Sequence, residues 1–130
     1  MASLKATLSL SSTDVSSDVL SFSVSDTANV TAPLENMSRI TATTTGGNSI
    51  ILPNVDATRY VYIKHLGLNA AGGSSGADQV KVETADGTEI MRISKDEWAF
   101  FPHYAGGAGK LQLEATANTV QVEYAYFTRS

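Results

Sequence analysis

The chain has 130 residues, of which 42% are apolar and 17% charged; its net charge is −4 and it has no cysteine. That length supports one hydrophobic core and one domain over residues 1–130, and the missing cysteine excludes disulfides and thiolate chemistry. Nine basic residues scattered singly make no patch for nucleic acid, and no apolar run approaches the roughly 18–20 residues of a membrane span.

Hydroxyls take the place of charge: there are 15 Ser and 14 Thr, and in the first half they alternate with Leu, Val, Phe and Ile. "MASLKATLSLSSTD" lacks an apolar block of signal-peptide length, so secretion by that route is not expected. "SLKATLSLS" puts Leu4, Ala6, Leu8 and Leu10 on one face and Lys5, Thr7 and Ser9 on the other. "VLSFSVSD" sets Leu20, Phe22 and Val24 against Ser21, Ser23 and Ser25. This period of two is the pattern of half-buried strands. The Ser/Thr/Asp cluster at 11–18 reads as a hinge, which makes residues 1–15 an arm that contacts a neighbouring subunit more than its own core. "MSRITATTT", ended by Gly46-Gly47, and "NSIILP", closed by Pro53, are further strands.

"RYVYIKHLG" is a strong strand, because aromatic and β-branched residues fit a pleated surface. "LNAAGGSSGAD" is a loop. In "QVKVETADGTEIMRI" two strands flank Asp86-Gly87, a pair that favours the positive-φ positions of a tight hairpin. "EWAFFP" is a strand stopped by Pro102, and "KLQLEAT" and "TVQVEYAYFT" are strands joined by a short hairpin connection at Ala117-Asn118. The sum is an all-β chain of about eight or nine short strands, arranged as an antiparallel β-sandwich, with a jelly roll as one form of it.

No motif declares an enzyme. His65 and His103 have no nucleophile elbow to serve, and no spacing of His, Asp and Glu matches a metal loop; Asp78, Glu83, Asp86 and Glu89 read as a turn and solvated strand residues. The strand in "DEWAFFPHY" carries aromatics on both faces. Trp98 and Phe100 are expected in the core. Phe101, His103 and Tyr104 are expected as a lateral contact, unless a loop of the same chain covers them. Tyr124 and Tyr126 on the last strand, with Leu4, Leu8 and Leu10 on the first, complete the expected interface.

"YVYIKHLGLNAAGG", "VKVET…GTEIMRISKDEWAFFPHY" and "KLQLEATANTVQVEYAYF" together resemble small virion structural proteins of tailed phages, especially the marine phages of cyanobacteria. Tyr60–Gly67, Ile90–Pro102 and Leu111–Phe127 carry the likeness, with Lys95-Asp96 where such proteins have a Pro-Gly turn. The resemblance implies a non-catalytic sandwich without a cofactor that coats or extends a particle. A capsid decoration protein on the virion surface is the expectation, as a homotrimer contacting the major capsid protein. The rival is a tail or tail-fibre component or a glycan-binding module, with Tyr62, Trp98 and Tyr126 as its aromatic platform.

Overall fold

The computed structural model describes residues 2–15, 17–31, 36–47 and 49–130. Among them there are ten strands and no helix. They are β1 (Ala2–Ser12), β2 (Leu20–Val30), β3 (Asn36–Ala42), β4 (Ser49–Leu52), β5 (Thr58–His65), β6 (Val80–Glu83), β7 (Glu89–Ile93), β8 (Trp98–Tyr104), β9 (Leu111–Ala115) and β10 (Val120–Thr128). Every segment read as a strand forms one, and all pairing is antiparallel.

Two four-stranded sheets, β3-β10-β5-β8 and β4-β9-β6-β7, face each other as a sandwich. The pairings nest: β3 with β10, β4 with β9, β5 with β8, β6 with β7. The chain therefore runs out to the β6–β7 turn and returns beside itself, as one long ribbon wrapped around the core. Contacts of β10 with β5 and of β9 with β6 complete the sheets. β1 and β2 stay apart as a two-stranded ribbon.

Alternation decides what is buried. Along β5, Arg59, Val61, Ile63 and His65 point inward, and Tyr60, Tyr62 and Lys64 point outward. On β10, Val120, Val122 and Tyr124 join the core, which Leu52, Leu111 and Leu113 fill from the opposite sheet. Each such aliphatic side chain, taken out of water, contributes roughly 1.5–3 kcal/mol.

Three expectations are corrected. Pro102 does not stop its strand: β8 runs on to Tyr104, with Pro102 opposite Tyr60. β8 is the last strand of its sheet, and an edge strand tolerates a residue without an N–H. Ala117-Asn118 does not close a hairpin, because β9 and β10 lie in different sheets; Asn118, at φ 40°, turns the chain across the sandwich. The cluster at 11–18 is not a hinge. Ser11 and Ser12 close β1 and the rest falls in the connection of a hairpin, since β1 pairs along its whole length with β2; Ser16 lies outside the described residues.

The Asp86-Gly87 turn is formed. Gly87 has φ 83°, and the Asp86 carboxylate accepts hydrogen bonds from the Thr84 hydroxyl (2.5 Å) and the Thr88 N–H (3.1 Å). Between β7 and β8, the Glu97 N–H donates to the Ser94 carbonyl (3.1 Å), with Asp96 at φ 66° in the position where glycine is least strained. The two turns give opposite expectations. Gly87→Val should destabilise the fold by about 1 kcal/mol or more, and Asp96→Gly should stabilise it by up to about 1 kcal/mol. Thermal melts of the two variants check both signs, and equal melting temperatures would refute both turn assignments.

Candidate interaction surface

The β1–β2 ribbon is an arm. Its register pairs Leu10 with Phe22, Leu8 with Val24, Ala6 with Asp26, Leu4 with Ala28 and Ala2 with Val30, so one face is apolar except for Asp26 and, next to the connection, Ser12 opposite Leu20. The other face carries Ser3, Lys5, Thr7, Ser9 and Ser11 opposite Asn29, Thr27, Ser25, Ser23 and Ser21, and the Thr7 and Ser25 hydroxyls lie 3.1 Å apart. The arm is anchored at its base, where buried Val30 bridges to Arg129. There the Thr31 N–H donates to the Thr128 carbonyl (3.0 Å) and the Ser130 N–H to that of Asn29 (3.2 Å).

Further out, cover is lost. Leu8 is 44% exposed, Leu10 46%, Phe22 57% and Val24 63%. Such a contiguous apolar block is what a lone soluble domain avoids and what an interaction surface uses.

The body meets the arm with an aromatic wall. The outward positions of β10, β5 and β8 hold Phe127, Tyr60, Tyr62, Phe100 and Trp98, with Tyr60 stacked on Phe100 at 5.9 Å between ring centroids. A cleft of about 440 Å³ lies between this wall and the arm, lined on the arm side by residues 4–8, Val24 and Asp26. Tyr62 donates its hydroxyl to Glu123 Oε1 (3.3 Å), which leaves the wall largely apolar.

The faces of β8 are the reverse of the expected ones. Trp98 is 55% exposed and Phe100 shares its outward face. Phe101 instead lies opposite Val61 and packs on the core. His103 also points inward, edge-on to Phe101 at 6.2 Å, with Nε2 2.6 Å from the Gly109 carbonyl oxygen. Pairing with β5 sets this choice, because Phe101 and Ala99 lie opposite the inward aliphatics Val61 and Ile63. Tyr104 is exposed as expected and donates its hydroxyl to Asp56. Tyr124, 7% exposed, belongs to the core, and Tyr126 packs against it. Of the expected interface residues, then, Leu8, Leu10 and Tyr104 are exposed and Leu4 is half-buried on the arm, while Phe101, His103, Tyr124 and Tyr126 serve or flank the core. Phe22 and Val24 were missed as partners of the arm, although their alternation was legible.

The histidine and carboxylates singled out in the sequence are engaged locally. His65 is fully buried; its Nδ1 accepts from the Gly67 N–H (2.9 Å) and its Nε2–H donates to the Asp78 carbonyl (3.0 Å). Asp86 shapes its turn, Glu89 pairs with Arg92 (2.7 Å), Asp78 accepts from Asn118 (3.0 Å) and Glu83 accepts from Gln112 (3.4 Å). Among the described residues no group of three or more His or carboxylate side chains is placed to hold a metal ion. Comparison of the chain with protein-family models, with curated proteins and with solved structures finds no match.

Two phenols report on this surface. Tyr62 is held above the ordinary tyrosine value by burial and then by the charge and hydrogen bond of Glu123, and Tyr104 by its hydrogen bond to Asp56 and that carboxylate's charge. A pKa raised in the folded state contributes stability that is present below the unfolded value, about 10, and is lost as pH rises through the raised one. Absorbance titration should therefore find Tyr62 and Tyr104 ionising later than free tyrosine, with the melting temperature falling over the same alkaline range. Tyr104→Phe should remove the late step that belongs to Tyr104.

Proposed function

We propose that the chain is a non-enzymatic structural protein of a phage virion, acting as a capsid decoration protein. On this reading it sits on the capsid surface as a homotrimer, contacts the major capsid protein and needs no cofactor. The observation that carries the reading is the arm: a closed sandwich extends an apolar ribbon that its own chain leaves half uncovered. A protein of this shape is built to hold neighbours. Contacts that are weak singly become strong when repeated over a shell. The nested strand pairing supports the same reading, because two antiparallel sheets in that order suit a jelly roll, an architecture used in viral capsids and in lectins. The resemblance of Tyr60–Gly67, Ile90–Pro102 and Leu111–Phe127 to phage virion proteins supplies the particle.

One observation favours a second reading. Tyr62 and Trp98, two of the three rings expected of a glycan platform, line one wall of the cleft, although the third, Tyr126, packs on the core. A tail-fibre or glycan-binding module would use that wall to stack a sugar ring.

Sedimentation separates the two. The purified protein should pellet with empty phage capsids, and antibody should label the capsid of intact virions. Pelleting with host polysaccharide but not with capsids, or label confined to the tail of a bare-shelled particle, would overturn decoration in favour of the second reading. Trp98→Ala should abolish glycan binding if that reading holds.

A further inference from the structure

We infer that the apolar face of the arm is covered by the same face of a second copy of this chain, with the outer half of each arm reaching toward the cleft of the other. The inference rests on the reading of the chain as an assembling structural protein, and it goes further by naming the surface and its occupant.

The surface is a block of four side chains. Leu10 lies opposite Phe22 and Leu8 opposite Val24, and each is about half exposed or more. The chain's own body does not reach the end of this block. The cleft runs out at Leu8, Val24 and Trp98; β8, which carries Trp98, is the last strand of its sheet, and Leu10 and Phe22 line no part of the cleft. Nor can the ribbon be expected to stand by itself, since a two-stranded hairpin is marginal in water without a packed face.

The chemistry of the block selects its occupant. It is aliphatic with one ring, and the single charge on its face, Asp26, sits further in beside the cleft. A charged partner finds no charge within the block, and a sugar finds no fan of donors there; Asp14 and Asp18 lie beyond it, in the connection between β1 and β2. An apolar strip of the same width does fit, and each further copy carries one. Packing a face on itself is the self-complementary, two-fold arrangement, so this contact joins two copies, and a trimer on a shell would use a further contact.

The area is that of a small interface. The free outer half of a ribbon of 11-residue strands is about 18 Å long, and two such halves stacked face to face would cover about 200 Å² on each. Cover of the exposed parts of Trp98 and Phe100, each a fraction of the roughly 150–250 Å² of an aromatic side chain, brings each copy to about 400 Å², half of a standard stable interface and enough for a weak pair. The cleft, at about 440 Å³, falls in the size range of sites that take a drug-sized ligand, which is room for Leu10 and Phe22 of another copy.

Light scattering during size-exclusion chromatography of the full chain tests this across roughly 1–200 μM, where an interface of this size holds together. The wild-type protein should run as more than one copy, and salt should do little to dissociate it. Trp98, the single tryptophan, should shift its emission to shorter wavelength as copies associate. Leu10→Ser with Phe22→Ser should weaken association about 10-fold or more, whereas Ser9→Ala with Ser23→Ala on the hydroxyl face should leave it unchanged. Circular dichroism reports whether the sandwich survives the change; if it does not, the near-isosteric Val24→Thr gives the same readout with less disturbance. A single-copy mass throughout the range, or a mass that the apolar-face substitutions do not alter, overturns the inference. Self-association without sedimentation on capsids supports arm pairing and sinks only the shell role; sedimentation of a single-copy protein on capsids overturns arm pairing alone.

Discussion

β10 is the strand on which the rest of the molecule depends. It hydrogen-bonds β3 along one edge and β5 along the other, and its inward Val120, Val122 and Tyr124 enter the core. Its outward Ala125 and Phe127 floor the cleft, and just past its end Arg129 bridges to Val30 and fixes the root of the arm. Core, cleft and arm are thus tied to one nine-residue run. A one-residue slip of that run would flip Val122 outward, bring Glu123 inward and move the arm's anchor at the same time, so register here is set by burial on one face and by aromatic packing on the other.

The sandwich and the arm differ in how they are held. In the sandwich, nested pairing gives every strand from β3 to β10 a neighbour, and the buried aliphatics of both sheets share one core. The arm has strand pairing but little burial beyond its base. Its backbone hydrogen bonds are open to water along most of their length, and segments of that kind open locally at low cost. A rigid body with a pliant, sticky extension is mechanically suited to capturing a neighbour first and ordering the contact afterwards.

Much of this was legible in the sequence because period two is unambiguous over "SLKATLSLS" and "TVQVEY", where one parity is apolar and the other polar. It failed where both parities are apolar. In "WAFFPHY" either face can be buried on its own merits, and the choice belongs to β5, whose small branched Val61 and Ile63 leave room for Phe101 and Ala99 inside and place Trp98 and Phe100 outside. The arm was half legible. The alternation of both its strands was plain, but the Ser/Thr/Asp connection looked the same whether it served as a hinge or as a hairpin loop. The deciding signal was that two apolar-alternating runs flank it and match in antiparallel register, Leu10 with Phe22 and Leu8 with Val24. Local spacing could not reveal that β9 and β10 part into different sheets, because a short connection such as 116–119 suits a hairpin and a crossing alike.

An exposed ribbon with a free edge invites uncontrolled stacking, and the arm's composition limits it. β1 pairs only with β2, so its outer edge offers unpaired backbone groups along most of its length. Lys5 lies on that strand, and a lysine on an edge is a common obstacle to further pairing. The hydroxyl face, with Thr7 and Ser25 already near each other, is well hydrated and gives a second sheet no dry surface on which to pack. Asp26 sits on the apolar face opposite Ala6, where a ribbon sliding past its proper depth would have to bury a carboxylate. Together they guard the edge of β1, the back and the root, while the tip block of Leu8, Leu10, Phe22 and Val24 stays available; β2, which above its base pairs only with β1, keeps its own outer edge open, with Asp26 as the charge on that strand. For the proposed arm pairing, an apolar side of finite length favours a closed pair over an open fibre.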